Sequence, residues 1–224
     1  MERVRDEIIR IFHAVSLATW RRLLICFVSF VVPIMLFVQL ADEVREQETL
    51  PFDQQVLLAV NSISSSSLDA IVLATTDLGY IWWVGFATLV TVLLCVKARQ
   101  YTNALIVMVG VGGSALINVL LKAFFQRDRP QLWERLVTEN SFSFPSGHAM
   151  ASASLAAVII VILWPTRWRY YAIALGNLYV LYIGFTRMYL GVHYPTDILA
   201  GWLVAVSWIA ITTIVIKNVL HTKS

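Results

Sequence analysis

Six long stretches of apolar residues divide the chain, and none of them contains Asp, Glu, Lys or Arg. They are Leu23–Ala41, Gly79–Val96, Ala104–Leu121, Ala149–Trp164, Tyr170–Phe185 and Ile198–Ile216. A transmembrane helix needs about 20 predominantly apolar residues. The pattern therefore predicts six membrane-spanning helices, and the two shortest stretches must recruit flanking residues or be buried in the bundle. We expect an all-α, polytopic membrane protein, a six-transmembrane-helix bundle with short interfacial helices.

The composition agrees with a membrane protein and excludes a soluble one. Hydrophobic residues make up 58% of the chain and charged residues only 14%, whereas a soluble domain has about 25% charged residues. A net charge of +3 is too small to indicate nucleic-acid binding. Cys26 and Cys95 lie inside apolar stretches, so they indicate neither a disulfide framework nor a cysteine metal site.

The distribution of the charges predicts the orientation. The segments 1–22, 97–103, 165–169 and 217–224 carry eleven Lys or Arg but only three acidic residues, and the opposite side carries six bases and eleven acids. By the positive-inside rule, both termini are cytoplasmic. Residues 1–22 are predicted as a cytoplasmic amphipathic segment, 23–216 as one catalytic domain with its motif-bearing core at about 70–216, and 217–224 as a cytoplasmic tail. The external segment 42–78 is predicted to form one or two interfacial helices.

Three motifs contain most of the candidate catalytic and phosphate-binding residues, and all three lie on the predicted outer face. The first runs from Lys122 to Arg129-Pro130, the second is Pro145-Ser146-Gly147-His148, and the third runs from Arg187 through His193 to Asp197. In this order and spacing they resemble the signature of the type 2 phosphatidic acid phosphatase (PAP2) family, most of all its small six-span bacterial lipid phosphatases. The third motif usually begins Ser-Arg, and here Thr186 keeps the hydroxyl.

The residue types suit a phosphate site. Lys122, Arg129 and Arg187 can neutralise a phosphate dianion, and arginine offers paired donors to its oxygens. Pro145 suits the first turn of a helix, which would leave the N–H groups of Ser146, Gly147 and His148 free to cradle a phosphate.

His193 and Asp197 are four residues apart near a predicted helix start, so the carboxylate can orient the imidazole. The resemblance implies that His193 is a nucleophile forming a phosphohistidine, Asp197 its orienter and His148 the general acid. It also implies a lipid phosphate or diphosphate as substrate, such as undecaprenyl diphosphate, phosphatidylglycerol phosphate or phosphatidic acid. We expect no cofactor and no metal, because three cations in one pocket would repel a divalent ion.

Several less specific interpretations apply to single residues. A lone Lys122 or Arg187 is more often a span-end residue that contacts lipid headgroups. Arg127 could extend the phosphate site, but a solvated loop charge is the favoured interpretation. Small residues in two spans are expected to mark close helix contacts: Gly110, Gly112, Gly113, Ser114, Ala149, Ser152, Ala153 and Ala156.

The sequence therefore predicts a bacterial-type inner-membrane phosphatase in the lipid bilayer, with its site on the periplasmic or extracellular face and a membrane lipid phosphate as its binding partner. A lipid phosphotransferase with the same histidine chemistry stays open as an alternative. A non-catalytic transporter or scaffold is disfavoured because every motif residue is present, and a soluble haloperoxidase because of the predicted spans.

Overall fold

The structure, a computed structural model, describes Trp20, Leu24 and residues 26–221. The predicted amphipathic segment 1–22 therefore lies outside the described residues apart from Trp20, as do the last three residues of the tail. A π-helical turn at Phe27–Val31 leads into α1, and the described elements are otherwise helical. Their bounds are α1 Val32–Arg45, α2 Leu50–Asn61, α3 Ser66–Thr75, α4 Ile81–Lys97, α5 Tyr101–Phe125, α6 Gly147–Leu163, α7 Arg169–Tyr189 and α8 Pro195–His221.

The predicted spans coincide with helices to within a few residues at their ends. Three helical segments are long and apolar enough to cross a bilayer, namely Phe27–Arg45, Tyr101–Phe125 and Pro195–Leu220. Helices α4 and α6 are apolar but shorter. Helix α7 has 21 residues, and its tyrosines, Asn177 and Arg187 make it less hydrophobic than its neighbours. The protein is therefore all-helical in its described part, with at least three candidate spans.

Helix α6 lies at the centre of the bundle, in contact with α4, α5, α7 and α8. Its small residues allow this close packing, because Ser152, Ala153 and Ala156 are buried and the Ser154 hydroxyl bonds to Ser114 of α5 at 2.6 Å. One apolar cluster joins α1, α6 and α8 around Phe37, and a second joins α4, α5, α6 and α8. Large apolar side chains point outward elsewhere, as the lipid-facing surface of a membrane bundle requires; examples are Leu36, Phe86, Leu93, Leu116, Leu120, Phe124, Leu175 and Leu178.

The segment 42–78 begins with the end of α1 and contains α2 and α3, which meet at 114°. The expected helices are present, and their interfacial position stays a prediction. A 3-10 turn at Thr76–Gly79 follows α3. Tyrosines of α7 hold this segment against the bundle: Tyr182 bonds to Thr75, and Tyr189 donates to Asp69. The segment thus packs onto the C-terminal end of α7 rather than standing apart from it.

Most of the predicted close contacts at small residues are confirmed, with one exception. A methyl group on Gly110 would lie 2.7 Å from Ile209, and one on Gly113 would lie 2.5 Å from Trp208. Gly112, however, has no atom within 4 Å of such a group, so the expectation of a helix contact there was wrong. Gly112 instead borders a cavity between the helices.

Candidate active site

The first turn of α6 brings the second motif beside the start of α8. Ser146 caps the helix by accepting a hydrogen bond from the N–H of Ala149 at 3.4 Å. Pro145 precedes this cap, so the prediction that it occupies the first helical turn was wrong. The N–H of Ser146 is also not free, because it donates to the carbonyl of Asp197 at 3.0 Å. This bond ties the start of α6 to the start of α8.

The third motif lies where α7 turns into α8. Gly191 has a φ of +66°, a conformation that glycine adopts without strain, and the Trp133 ring packs so closely that a methyl group there would lie 2.8 Å from it. His193 follows this turn and precedes the first residue of α8, whereas Asp197 lies in the first turn of that helix. The predicted contact is present, with Nδ1 of His193 3.4 Å from Oδ2 of Asp197.

Ser143 completes this pair and was not predicted from the sequence. Its hydroxyl donates to Oδ2 of Asp197, and its oxygen lies 3.3 Å from Nδ1 of His193. The serine is fully buried between the two side chains. Since Ser143 lies two residues before Pro145 and outside every recognised motif, the linear sequence gave no signal for it.

The neighbours of His193 indicate its tautomer. Nη1 of Arg129 lies 3.2 Å from Nε2 of His193, and a guanidinium can only donate hydrogen bonds. Nε2 therefore accepts, and the ring proton belongs on Nδ1, facing Ser143 and Asp197. Burial, and then the positive charges of Arg129, Lys122 and Arg187, hold the pKa of His193 well below its usual 6.5. The ring is thus neutral, and the lone pair on Nε2 accepts the hydrogen bond from Arg129.

Three cations are close enough to His193 for their charges to lower its pKa. Arg129 is held by the carbonyls of Ser141 and Val192, both at 2.8 Å. Lys122 reaches from the last turns of α5 to the carbonyl of Phe142. Arg187 is only 2% exposed and donates to Oγ1 of Thr76 at 3.0 Å. The loop 126–146 therefore wraps around the side chains of the first motif.

A carboxylate lies among these cations. Glu139 pairs with Arg187, and its other oxygen lies 3.6 Å from Nη2 of Arg129. Two buried nitrogens at this site, Nε2 of His148 and Nε of Arg187, have no hydrogen-bond partner within the described part of the chain. Because a buried polar group without a partner is costly, these nitrogens indicate room for a ligand rich in acceptors.

A cavity of about 670 Å³ begins at this polar end and continues between α4, α5 and α6. Its polar wall includes Lys122, Arg129, Glu139, Ser141, His148 and His193. Beyond them the lining is apolar, and on α4 it extends from Ile81 to Val92, which is about 16 Å along a helix. Leu89 and Met108 line the cavity and are also exposed, so the groove reaches the apolar surface of the bundle.

The structure contradicts the interpretation of Arg127 as a solvated loop charge. Its side chain is 13% exposed and forms ion pairs of 2.6 Å with Asp197 and 2.7 Å with Asp53. Its guanidinium also stacks on the Tyr194 ring, 4.2 Å from the centroid. Asp53 lies in α2, 144 residues before Asp197 in the sequence. No feature of the local sequence indicates that Arg127 contacts Asp53.

Comparison with known proteins decides the family. The model of the PAP2 superfamily matches residues 103–220 of the chain. The chain belongs to the PAP2 superfamily. The match covers all three motifs, together with helices α5 to α8.

Named PAP2 relatives are lipid phosphatases of several kinds. The chain is 34% identical to phosphatidylglycerophosphatase B of Bacillus subtilis over 46% of this chain and 53% of that one. It is 30% identical to lipid A 4'-phosphatase of Bacteroides thetaiotaomicron over 68% of this chain and 71% of that one. The alignment thus spans about half the length of the Bacillus relative. The crystal structure of a transmembrane PAP2 phosphatidylglycerolphosphate phosphatase from Bacillus subtilis superposes with a TM-score of 0.75 at 24% identity, covering 87% of this chain and 96% of that one, which shows a shared fold.

The structure thus places all the predicted PAP2 site residues around one pocket. His148, His193, Lys122, Arg129 and Gly147 line the cavity. Asp197, Arg187 and Ser146 contact the lining residues or the loop that carries them. Within the part of the chain that the structure describes, no group of three or more His, Cys, Asp or Glu side chains is arranged to hold a metal ion. The absence of a metal requirement stays a prediction.

Proposed function

We propose that the protein is an integral-membrane lipid phosphate phosphatase that hydrolyses a terminal phosphate through a phosphohistidine intermediate. One observation carries the proposal: the unprotonated Nε2 of a neutral histidine, which accepts from Arg129, lies at the cationic end of a cavity whose other end is an apolar groove. The cations can bind the oxygens of a phosphate group, and the apolar groove can hold the hydrocarbon chain of a lipid. The six spans and a site on the outer face belong to this proposal, supported by the charge distribution.

The chemistry follows from the contacts. Nε2 of His193 attacks the phosphorus while the bond from phosphorus to the leaving oxygen breaks, and His148 donates a proton to that oxygen. Lys122, Arg129, Arg187 and the N–H of Gly147 stabilise the charge on the phosphoryl oxygens. Asp197 and Ser143 hold the proton on Nδ1, which directs Nε2 toward the substrate. Water, activated by His148 in its basic form, then attacks the phosphohistidine and releases inorganic phosphate.

The experiment that tests the chemistry is phosphate release and phosphoenzyme trapping with purified protein. His193→Ala should abolish both, whereas Asn177→Ala, on the exposed face of α7, should retain both. Asp197→Ala should slow the formation of the phosphoenzyme. A fully active His193→Ala protein would disprove the nucleophile. Loss of activity in EDTA would contradict a metal-free mechanism.

The groove offers a separate test of the lipid substrate. Gly112→Leu fills open space in the groove, so it should lower kcat/KM for a long-chain lipid phosphate by about tenfold or more, since a misplaced substrate loses that much. Its kcat/KM for a short-chain, water-soluble phosphate ester should change by less than about threefold. Val109→Leu lies on the same helix but outside the groove and serves as the control. Equal losses for both substrates would contradict a lipid-binding groove.

The motifs are compatible with several lipid phosphates, including undecaprenyl diphosphate, phosphatidylglycerol phosphate and phosphatidic acid. A panel of these purified lipids, ranked by kcat/KM, identifies the substrate. The same panel, analysed for both free phosphate and phosphorylated lipid products, separates hydrolysis from transfer to another acceptor. We propose hydrolysis as the main reaction, because the polar end of the cavity shares Lys122, Arg129, Glu139 and Ser141 with a second groove around Arg127, Gln131 and Asn140 that could supply water.

A further inference from the structure

The buried ion pairs of Arg127 connect the proposed catalytic histidine to a residue far outside the three motifs. Asp53 and Asp197 are both completely buried, and one guanidinium lies between them. Nη1 donates to Oδ1 of Asp197 at 2.6 Å, and Nη2 donates to Oδ2 of Asp53 at 2.7 Å. Charged groups buried this completely are stable only when each has a partner.

The two oxygens of Asp197 have different partners. Oδ1 accepts from Arg127, whereas Oδ2 accepts from the Ser143 hydroxyl and the N–H of Tyr194 and faces Nδ1 of His193. Only the second oxygen therefore orients the histidine. Its availability depends on Arg127 binding the first oxygen alone.

Asp53 is anchored so that it can keep Arg127 in this position. Oδ1 of Asp53 accepts from the N–H of Thr196 at 3.1 Å, and Oδ2 accepts from the Thr196 hydroxyl at 2.7 Å. Thr49 donates a further hydrogen bond at 3.2 Å. The carboxylate is thus fixed to the first turn of α8, next to Asp197 itself.

Removing the charge of Asp53 would release one arm of the guanidinium. Arginine binds a carboxylate most strongly with two parallel hydrogen bonds. A released Arg127 would turn toward both oxygens of Asp197 and compete with Ser143 and His193 for Oδ2. We infer that Asp53 and Arg127 are positioning residues that act through Asp197 to keep His193 reactive. This inference rests on the proposed function of His193 and Asp197.

The test is a double-mutant cycle on kcat, measured with purified protein and one lipid phosphate. Asp53→Asn preserves shape but removes the charge, so it should lower kcat by about 10- to 100-fold, the scale of a misoriented catalytic group. KM and the Ki of inorganic phosphate should stay within about threefold, because Lys122 and Arg187 make no contact with Asp53. In an Asp197→Ala protein, which has already lost the orienting carboxylate, Asp53→Asn should change kcat by less than about threefold.

A matched control and a second variant separate this role from a purely structural one. Asp69→Asn removes another carboxylate that ties the 42–78 segment to the bundle, through Tyr189, and should leave kcat unchanged. Arg127→Lys keeps the charge but lacks the planar fork whose two nitrogens each face one carboxylate, so it should reproduce the loss of kcat if Asp53→Asn does not fold.

The outcomes distinguish this inference from the proposed function. A wild-type kcat in folded Asp53→Asn or Arg127→Lys protein overturns the positioning role, and so does an equal loss with and without Asp197. Full activity of Asp197→Ala and His193→Ala would instead overturn the proposed function. If His193→Ala is inactive, Asp197→Ala is slowed and Asp53→Asn is unaffected, only the positioning role fails.

Discussion

Glu139 places a carboxylate against two of the cations that are proposed to bind phosphate. Its pairs with Arg187 and Arg129 satisfy guanidinium groups that a substrate phosphate would otherwise occupy. A phosphate dianion that binds here must therefore displace this carboxylate or share the two guanidinium groups with it.

Removing the charge of Glu139 should strengthen phosphate binding. Glu139→Gln should lower the Ki of inorganic phosphate about fivefold, which corresponds to roughly 1 kcal/mol for one partly exposed charge. Competitive inhibition assays measure this, and Glu134→Gln, an exposed carboxylate in the same loop, is the control. A Ki that is unchanged or higher in Glu139→Gln would show that the carboxylate does not compete with phosphate.

The depressed pKa of His193 links stability to pH. In the unfolded chain His193 takes up a proton below about pH 6.5, whereas in the folded protein it stays neutral to much lower pH. Acidification therefore favours unfolding, and His193 removes up to about 1.4 kcal/mol from the free energy of unfolding per pH unit below 6.5. The Tm of the wild type in detergent should fall more steeply below pH 6.5 than that of His193→Asn. Equal slopes would mean that burial does not disfavour the charged ring.

At the scale of residues, the sequence predicted the site residues that lie within the motifs and missed those that other parts of the chain contribute. Lys122, Arg129, His148, His193 and Asp197 were predicted because their spacing is characteristic. Asp53, Ser143 and Glu139 were not, because their roles depend on how α2 and the loop 126–146 fold over the site. Arg127 was misjudged for the same reason: its partner Asp53 is remote in sequence.

At the scale of helices, the contact between α6 and α8 determines the spacing of the two histidines. A methyl group on Gly201 of α8 would lie 2.9 Å from the carbonyl oxygen of Ser146 and 3.2 Å from the N–H of Met150. These are backbone atoms of the first turn of α6, which cannot rotate away as a side chain can. Only glycine lets α8 approach the helix start that carries His148.

A larger side chain at this contact should separate the two helices. Gly201→Val should lower both the Tm and kcat, since overpacking costs about 1–3 kcal/mol and moves His148 away from His193. Thermal unfolding in detergent and phosphate release measure the two effects. Gly85→Val, where no atom lies within 4 Å of the added group, should leave the Tm nearly unchanged. A stable and active Gly201→Val protein would contradict the importance of this contact.

The apolar pattern predicted the helices well because long uncharged runs have few alternative structures in a bilayer. It predicted their ends less well, since α5 continues past Lys122 to Phe125 and α8 continues past Lys217 to His221. The packing of α3 against α7 could not be predicted, because it includes single hydrogen bonds of Tyr182 and Tyr189.

At the scale of the whole molecule, the charge distribution predicts that the site faces outward. In a cysteine-free background, Glu134→Cys in the motif loop should react with a membrane-impermeant maleimide in intact cells. Lys97→Cys, at the opposite end of α4, should react only after permeabilisation. Both positions are exposed, so accessibility to the reagent depends on the side of the membrane. The reverse pattern of labelling would invert the proposed orientation.

The groove between α4, α5 and α6 also has a kinetic consequence. A lipid that reaches the site along the apolar surface at Leu89 and Met108 arrives by diffusion in two dimensions, within the bilayer. Its effective concentration is then its mole fraction among the surrounding lipids, and the volume of the surrounding water does not affect it. Adding inert lipid should therefore dilute the substrate and slow turnover, even when the total amount of substrate in the sample is unchanged.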